Sequence, residues 1–186
     1  MLNHLSAEQW LPYPLETVFA FFADPANLPR LMPDWQQARI ESATYLAPPP
    51  PPSPFPGWDR ITAGNGTRLT LTIRPIPFSP IRLPWGALIE DFRWLEGFCD
   101  IQLRGPFKSW RHCHAVRSER NGTLLRDEVR YELPLGPLGS LANTLFIRHH
   151  LKATFATSEL SSYWQKKTAR NKRAALKLFP TPYSCF

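Results

Sequence analysis

SWRHCHAVRSERNGTLLRDEVRYEL, residues 109–133, carries the hairpin from which the rest of the chain can be read. Apolar and polar residues alternate on both sides of Asn121-Gly122. That dipeptide is favoured in two-residue hairpin loops, whose central residues take positive φ. Two strands, Ser109 to Ser118 and Thr123 to Leu133, therefore pair antiparallel. With Asn121 and Gly122 as the loop, Arg120 pairs with Thr123. His114 then lies opposite Val129, His112 opposite Tyr131, Val116 opposite Asp127 and Trp110 opposite Leu133. Strand side chains alternate with period two, so these eight share one face. The other face carries Arg111, Arg117, Arg126, Glu128, Arg130 and Glu132 and belongs in solvent. The two histidines, Asp127 and Tyr131 thus point inward among Trp110, Val116 and Val129.

The same period recurs upstream. Leu69, Leu71 and Ile73 alternate with Arg68, Thr70 and Thr72, and further strands read over Leu83 to Trp94 and Gly97 to Arg104. The connections are short, so the strands form an antiparallel meander. A loop of even length around Gly105 to Lys108 sets Leu103 opposite Trp110 and turns Cys99, Ile101 and Leu103 inward. An odd loop turns Asp100, Gln102 and Arg104 inward instead. The alternation favours the even loop. Trp85 and Trp94 lie on opposite faces of a straight strand, so both face inward only across a bulge.

Before the meander, Leu2 to Leu11 reads as a strand. Pro14 opens a helix bearing Leu15, Val18, Phe19 and Phe22, and Asp24-Pro25 caps a second short helix, Ala26 to Leu31. Gln37 to Ser42 is a weaker strand. After the meander the period turns helical. Ser140 reads as the cap, and Leu141, Leu145, Ile147, Leu151, Phe155, Leu160 and Trp164 form an apolar stripe without a proline between Ser140 and Phe179. A helix with one greasy face must cover something, and the sheet is the available surface. The fold class is α+β: a curved antiparallel sheet wrapped around a long C-terminal helix, with two short helices after the first strand. The space between sheet and helix is the default ligand site.

Composition bounds the rest. The chain has 186 residues, 43% of them hydrophobic, enough for one domain with its own core. Proline is over-represented at 21 residues, with Pro48 to Pro52, Pro54 and Pro56 in one polyproline II insertion over 47–57, read as a solvated loop. The net charge is +7. Lys166, Lys167, Arg170, Lys172, Arg173 and Lys177 follow Ser161 with no acid among them, so 1–165 reads as the folded domain and 166–186 as a basic helix end and tail. Peripheral contact with anionic lipid is open to that tail. Basic and aromatic residues are not interleaved as in a nucleic-acid platform, and no nucleic-acid partner is expected. Cys99, Cys113 and Cys185 lack C-x-x-C spacing and read as free thiols in a cytoplasmic protein. The start of the chain shows no secretory leader, and no run approaches a membrane span. No spacing matches a known zinc motif, and no nucleotide or cofactor motif is present.

Two segments carry a family resemblance. Val18-Phe19-Ala20-Phe21-Phe22-Ala23-Asp24-Pro25-Ala26-Asn27-Leu28, with Leu31 and Pro33, resembles the start of START-like proteins, the helix-grip superfamily of polyketide cyclases, lipid-transfer domains and the birch pollen allergen. Gly105-Pro106-Phe107, Trp110-x-His112-x-His114, Asp127-x-Val129-x-Tyr131 and Leu133-Pro134-Leu135-Gly136 resemble its bacterial polyketide cyclase/dehydrase-like ligand-binding (SRPBCC) branch. The resemblance spans Leu2 to Trp164. It implies a helix-grip fold and an apolar ligand in the cavity, and it assigns no settled activity. The proline insertion and the basic tail depart from the pattern.

The leading expectation is a binder of a hydrophobic or amphipathic small molecule such as a lipid, quinone, polyketide or aromatic metabolite. Its candidate contacts are Leu69, Leu71, Ile73, Trp110, His112, His114, Val129, Tyr131, Leu151 and Phe155. The alternative is a cyclase or dehydratase acting on a carbonyl-bearing, polyketide-like substrate. There His114, oriented by Asp127, would act as base, and Tyr131 would donate to a developing oxyanion. A third reading is a protein-interaction module using the proline run or the tail.

Overall fold

The computed structural model describes residues 1–55, 58 and 63–154. Seven strands follow the alternating segments: β1 (Leu2–Leu11), β2 (Arg39–Thr44), β3 (Arg68–Ile73), β4 (Leu83–Arg93), β5 (Gly97–Arg104), β6 (Ser109–Glu119) and β7 (Gly122–Glu132). All neighbours are antiparallel, in the order β1-β7-β6-β5-β4-β3-β2. Between β1 and β2 lie α1 (Leu15–Phe22), entered from Pro14, and the short α2 (Leu28–Leu31). A single turn over Pro25–Asn27 separates them, capped by the Asp24 carboxylate on the Ala26 N–H at 3.0 Å. After β7 the chain enters helix α3, composed of Gly136–Ala142, a π-helical stretch over Asn143–Ile147, and Arg148–Thr154. The described residues belong to one compact unit, Met1–Ala156. Phe155, Leu160, Trp164 and the basic segment from Lys166 lie outside the described residues.

The β6–β7 hairpin is shifted by two residues from the sequence reading. Glu119 pairs with Gly122, so Arg120 and Asn121 form the turn, with Arg120 at φ 56°. A Cβ on Gly122 would collide with the Leu11 carbonyl, so this glycine lets β1 close against the hairpin. A two-residue shift leaves every side chain on its expected face but changes its partner. His114 lies opposite Asp127, His112 opposite Val129, Val116 opposite Leu125 and Trp110 opposite Tyr131.

The β5–β6 register is odd, against the even loop expected. Asp100 pairs with His112 and Phe98 with His114, so Phe98, Asp100 and Gln102 occupy the concave face. Gln102 explains the offset. Its amide donates to the Phe107 carbonyl at 2.8 Å and accepts from the Phe107 N–H at 3.3 Å, which clasps the loop. The offset puts Cys99 and Cys113 together on the convex face as a directly opposed pair, joined in a disulfide. The free-thiol reading of these two cysteines is therefore corrected. It rested on spacing and compartment, neither of which senses the β5–β6 register that sets the two side by side.

A bulge near the end of β4 lets both Trp85 and, just past the strand, Trp94 face inward. Trp85, Ala87 and Ile89 face the core, Asp91 takes φ 52°, and Phe92 and Trp94 face in beyond it. The Asn65 side chain accepts the Phe92 N–H at 2.8 Å, which satisfies that donor where the ladder is interrupted. The proline run is less free than a solvated loop. Trp94 donates its indole N–H to the Pro49 carbonyl at 2.7 Å, and Phe55, buried, packs edge-on to Trp94.

Helix α3 begins at Gly136, four residues before the expected Ser140 cap, with Leu135 in the left-handed region at φ 68°. Its inner face is Gly139, Asn143, Ile147 and Leu151, not the whole predicted stripe. Leu141 and Leu145 point to solvent. The four inner residues recur every four positions and so share one side of the helix, whereas Leu145, two residues before Ile147, and Leu141, six before it, fall on the far side. Ile147 and Leu151 pack on Leu5, Trp110, Val129 and Tyr131. A second cluster joins Leu69, Leu71 and Ala87 to Leu28, Ile40 and Ala43, and Trp85 touches both clusters.

Candidate functional site

Three strands carry the polar centre of the concave face. His112 and His114 are two residues apart on β6, so their rings share that face, 4.1 Å between centroids. The Nε2 of His112 is 3.1 Å from Asp127 Oδ1 on β7, and its Nδ1 is 3.7 Å from Asp100 Oδ2 on β5. His114 Nδ1 meets the same Asp127 oxygen at 2.5 Å. The Trp110 indole N–H donates to Asp100 at 3.4 Å. Asp100, His112, Asp127 and His114 thus form an alternating chain of acid and base. His112 and Asp127 are buried; His114 keeps 14% of its side chain exposed and lies between the rings of Phe22 and Phe98, at 5.2 and 4.9 Å.

The chain sets its own protonation. Burial opposes charge on His112, but the carboxylates of Asp100 and Asp127 outweigh it and raise its pKa to about 10. His112 is therefore an imidazolium at neutral pH. Burial likewise opposes charge on Asp127, but His114 and His112 hold its carboxyl well below the usual carboxylate range. Hydrogen bonding of Nδ1 to Asp127 leaves Nε2 of His114 as the nitrogen that an incoming group can meet. The ligand atoms of His112, His114 and Asp127 lie within 4.8 Å of one another, so the three could converge on one cation. A cation would have to displace the protons that already bridge them to carboxylates.

Tyr131 is in a different place. Four residues along β7 from Asp127 is roughly 13 Å. Its hydroxyl donates to Asn143 Oδ1 on α3 at 2.7 Å, and the Asn143 amide donates to Asn3 Oδ1 on β1 at 2.9 Å. Burial raises the Tyr131 pKa, partly offset by that bond. Of the contacts expected from sequence, Trp110, Val129, Tyr131 and Leu151 meet in one cluster. Leu69 and Leu71 meet in the other, and Ile73 is half-buried at the end of β3. His112 and His114 stand together at the polar chain. Asp100, Phe98 and Phe22 were not among the expected site residues. Asp100 and Phe98 were hidden by loop parity, and Phe22 was read only as part of the apolar spacing of the first helix.

A curved antiparallel sheet, two short helices after its first strand and a helix across its concave face define the helix-grip class. The chain belongs to the polyketide cyclase/dehydrase and lipid transport family, whose model matches residues 11–153. Among solved structures it is similar to TTHA0849 from Thermus thermophilus, at 19% identity and TM-score 0.60, covering 90% of this chain and 99% of that one. It is also similar to Ara h 8.0201, at 12% identity and TM-score 0.56, covering 88% and 97%. A third likeness is to a point mutant of norcoclaurine synthase from Thalictrum flavum in complex with a transition-state analogue, at 15% identity and TM-score 0.54, covering 90% and 97%. At these identities the likeness is one of fold. Direct comparison with curated protein sequences finds no match.

Proposed function

We propose that the chain binds an apolar or amphipathic small molecule between the concave sheet face and its helices, with His114 as the polar contact. One observation carries this reading: a buried acid–base chain crosses an otherwise apolar face and ends at a histidine set between two phenylalanine rings. Buried charge is costly unless paired, and here each member of the chain has a partner. Nε2 of His114 is then available to a hydroxyl, carbonyl or carboxylate of the ligand, while Phe22, Phe98 and Trp110 offer apolar surface. Membership of a family described by lipid transport and polyketide chemistry supports the same class of ligand.

Native mass spectrometry of the purified protein, followed by extraction, tests this first. A retained apolar molecule is expected. Titration with fatty acids and polycyclic aromatics, followed by tryptophan fluorescence, is the second arm. The absence of any saturable response in both arms would sink the reading. His114→Ala should weaken polar-headed ligands about tenfold, the worth of one good hydrogen bond, and leave wholly apolar ligands unchanged.

A second reading is proton transfer on a carbonyl-bearing, polyketide-like substrate. The bond from His114 Nδ1 to Asp127 favours it, because it holds the ring in the tautomer that suits a general base at Nε2. Tyr131 has no part in this version, since its hydroxyl serves Asn143. Turnover should vanish in both His114→Ala and Asp127→Asn while the fold survives. Unchanged turnover in both rejects the reading.

A further inference from the structure

Besides Leu141, Leu145 and Phe146 on α3, the most exposed large apolar side chains lie at one end of the sheet. The pairings of Leu2 with Glu132, Glu132 with Ser109, and Ile73 with Leu83 bring the N-terminus, the β3–β4 loop, the β5–β6 loop and the β7–α3 connection to that end. There Leu2, Ile76, Phe78, Ile81, Leu135 and Leu138 are 62, 59, 94, 64, 75 and 68% exposed. At the opposite end Trp10, Tyr45, Leu46 and Trp58 are at most half exposed. Phe78 and Leu135 also sit at φ 62° and 68°, a conformation glycine would adopt at less cost.

The charge around the tips has one dominant sign. Arg39, Arg74, Arg82, Arg104 and Lys108 lie on this end, against the acids Asp34, Glu41 and Glu132. Lys108 and Glu132 offset one another as an ion pair, Glu41 accepts from Thr72, and Arg82 donates to Thr72 and Gln37, which leaves Arg39, Arg74 and Arg104 against Asp34. Apolar tips ringed by cations match the boundary of a bilayer that carries anionic headgroups. They match a second copy of this chain poorly, because a two-fold contact would set the same cations against one another.

We propose that this end is an interfacial docking surface for an anionic lipid bilayer, with Phe78, Ile76 and Ile81 entering the headgroup boundary and Arg39 and Arg104 resting on the phosphates. No helix of the described residues is long and apolar enough to cross a membrane, so the contact is peripheral. The surface is distinct from the concave face, and the proposal holds whether or not the ligand reading does.

Co-sedimentation of the full chain with phosphatidylcholine vesicles, with and without phosphatidylglycerol, tests it. Binding is expected to the anionic vesicles, about tenfold weaker to phosphatidylcholine alone and weakened by salt. Phe78→Asp and the pair Arg39→Glu, Arg104→Glu should each lower the bound fraction about tenfold. Tyr45→Asp, at the opposite end, should leave it unchanged. Circular dichroism melts check that each variant is folded. No binding to either vesicle overturns the proposal. Binding that survives Phe78→Asp overturns it too, and assigns the attraction to the basic segment from Lys166. A dimer that Phe78→Asp dissociates would give the surface to a second copy and would likewise overturn the proposal.

Discussion

His112 lies between two carboxylates, and this ties stability to pH. Its folded pKa, about 10, is above the ordinary histidine value of 6.5. The stability it contributes is therefore complete below about pH 6.5 and is lost as pH rises towards 10. Asp127 is shifted the other way. Its contribution is complete above the ordinary carboxylate pKa near 4 and is lost as pH falls below it. Thermal melts should thus peak between about pH 4 and 6.5 and decline on the alkaline side. His112→Gln should remove the alkaline decline, and a decline that persists in it would reject the assignment. Asp127→Asn should cost about 3–5 kcal/mol in denaturant melts, the usual range for breaking a buried ion pair. Gly97 is a further sensitive position. Its φ is 150°, and a Cβ there would collide with the His114 carbonyl, so Gly97→Ala should disturb β6 at the site itself.

The strands and α3 are held by two ties on opposite faces of the sheet. On the convex face the Cys99–Cys113 disulfide joins β5 to β6 across 14 residues of sequence. Closing a loop of that length stabilises by about 3 kcal/mol in the chain-entropy account. Reduction, or Cys113→Ser, should lower stability by about 2–3 kcal/mol. Thiol titration of the denatured, unreduced chain should find at most one thiol, where three would refute the bridge. On the concave face Tyr131, Asn143 and Asn3 join β7, α3 and β1 through two hydrogen bonds. Asn143→Leu would strand the Tyr131 hydroxyl and should cost about 1–3 kcal/mol. Asn143 shares the inner side of α3 with Gly139 and Ile147, four residues to either side, while Leu141 and Leu145 stay outside. Far-UV circular dichroism should show little change in that variant, while the melt shifts.

In the molecule as a whole, the apolar clusters and the polar chain share one concave face, so a ligand filling it would bind the folded state alone. A ligand present at a hundred times its Kd should stabilise the wild type by about 2.7 kcal/mol. A screen by thermal shift should therefore find the ligand class that extraction identifies. The pattern predicts a smaller shift in His114→Ala for polar-headed molecules only. A uniform loss for all ligands would mean that His114 shapes the site rather than contacting them.

Hydrophobic period and turn chemistry are local, and they made most of the architecture legible. β1 and β5 were read with their observed bounds, and the hairpin's inner face was read correctly through Trp110, His112, His114, Asp127, Val129 and Tyr131. Parity is robust because a two-residue slip leaves the faces unchanged. Partners are not local. Whether His114 meets Asp127 or Val129 depends on where Arg120 turns, and that turn is packed against β1. Whether Asp100 faces in or out depends on a loop clasped by Gln102, and the same offset brings Cys99 to Cys113. The inner face of α3 depends on Asn143, answering to Tyr131 and Asn3 far away in sequence. Alternation thus announced which residues are inside; contacts between distant segments settled which of them touch, because register and helix phase are set by packing and not by any one segment's own preference.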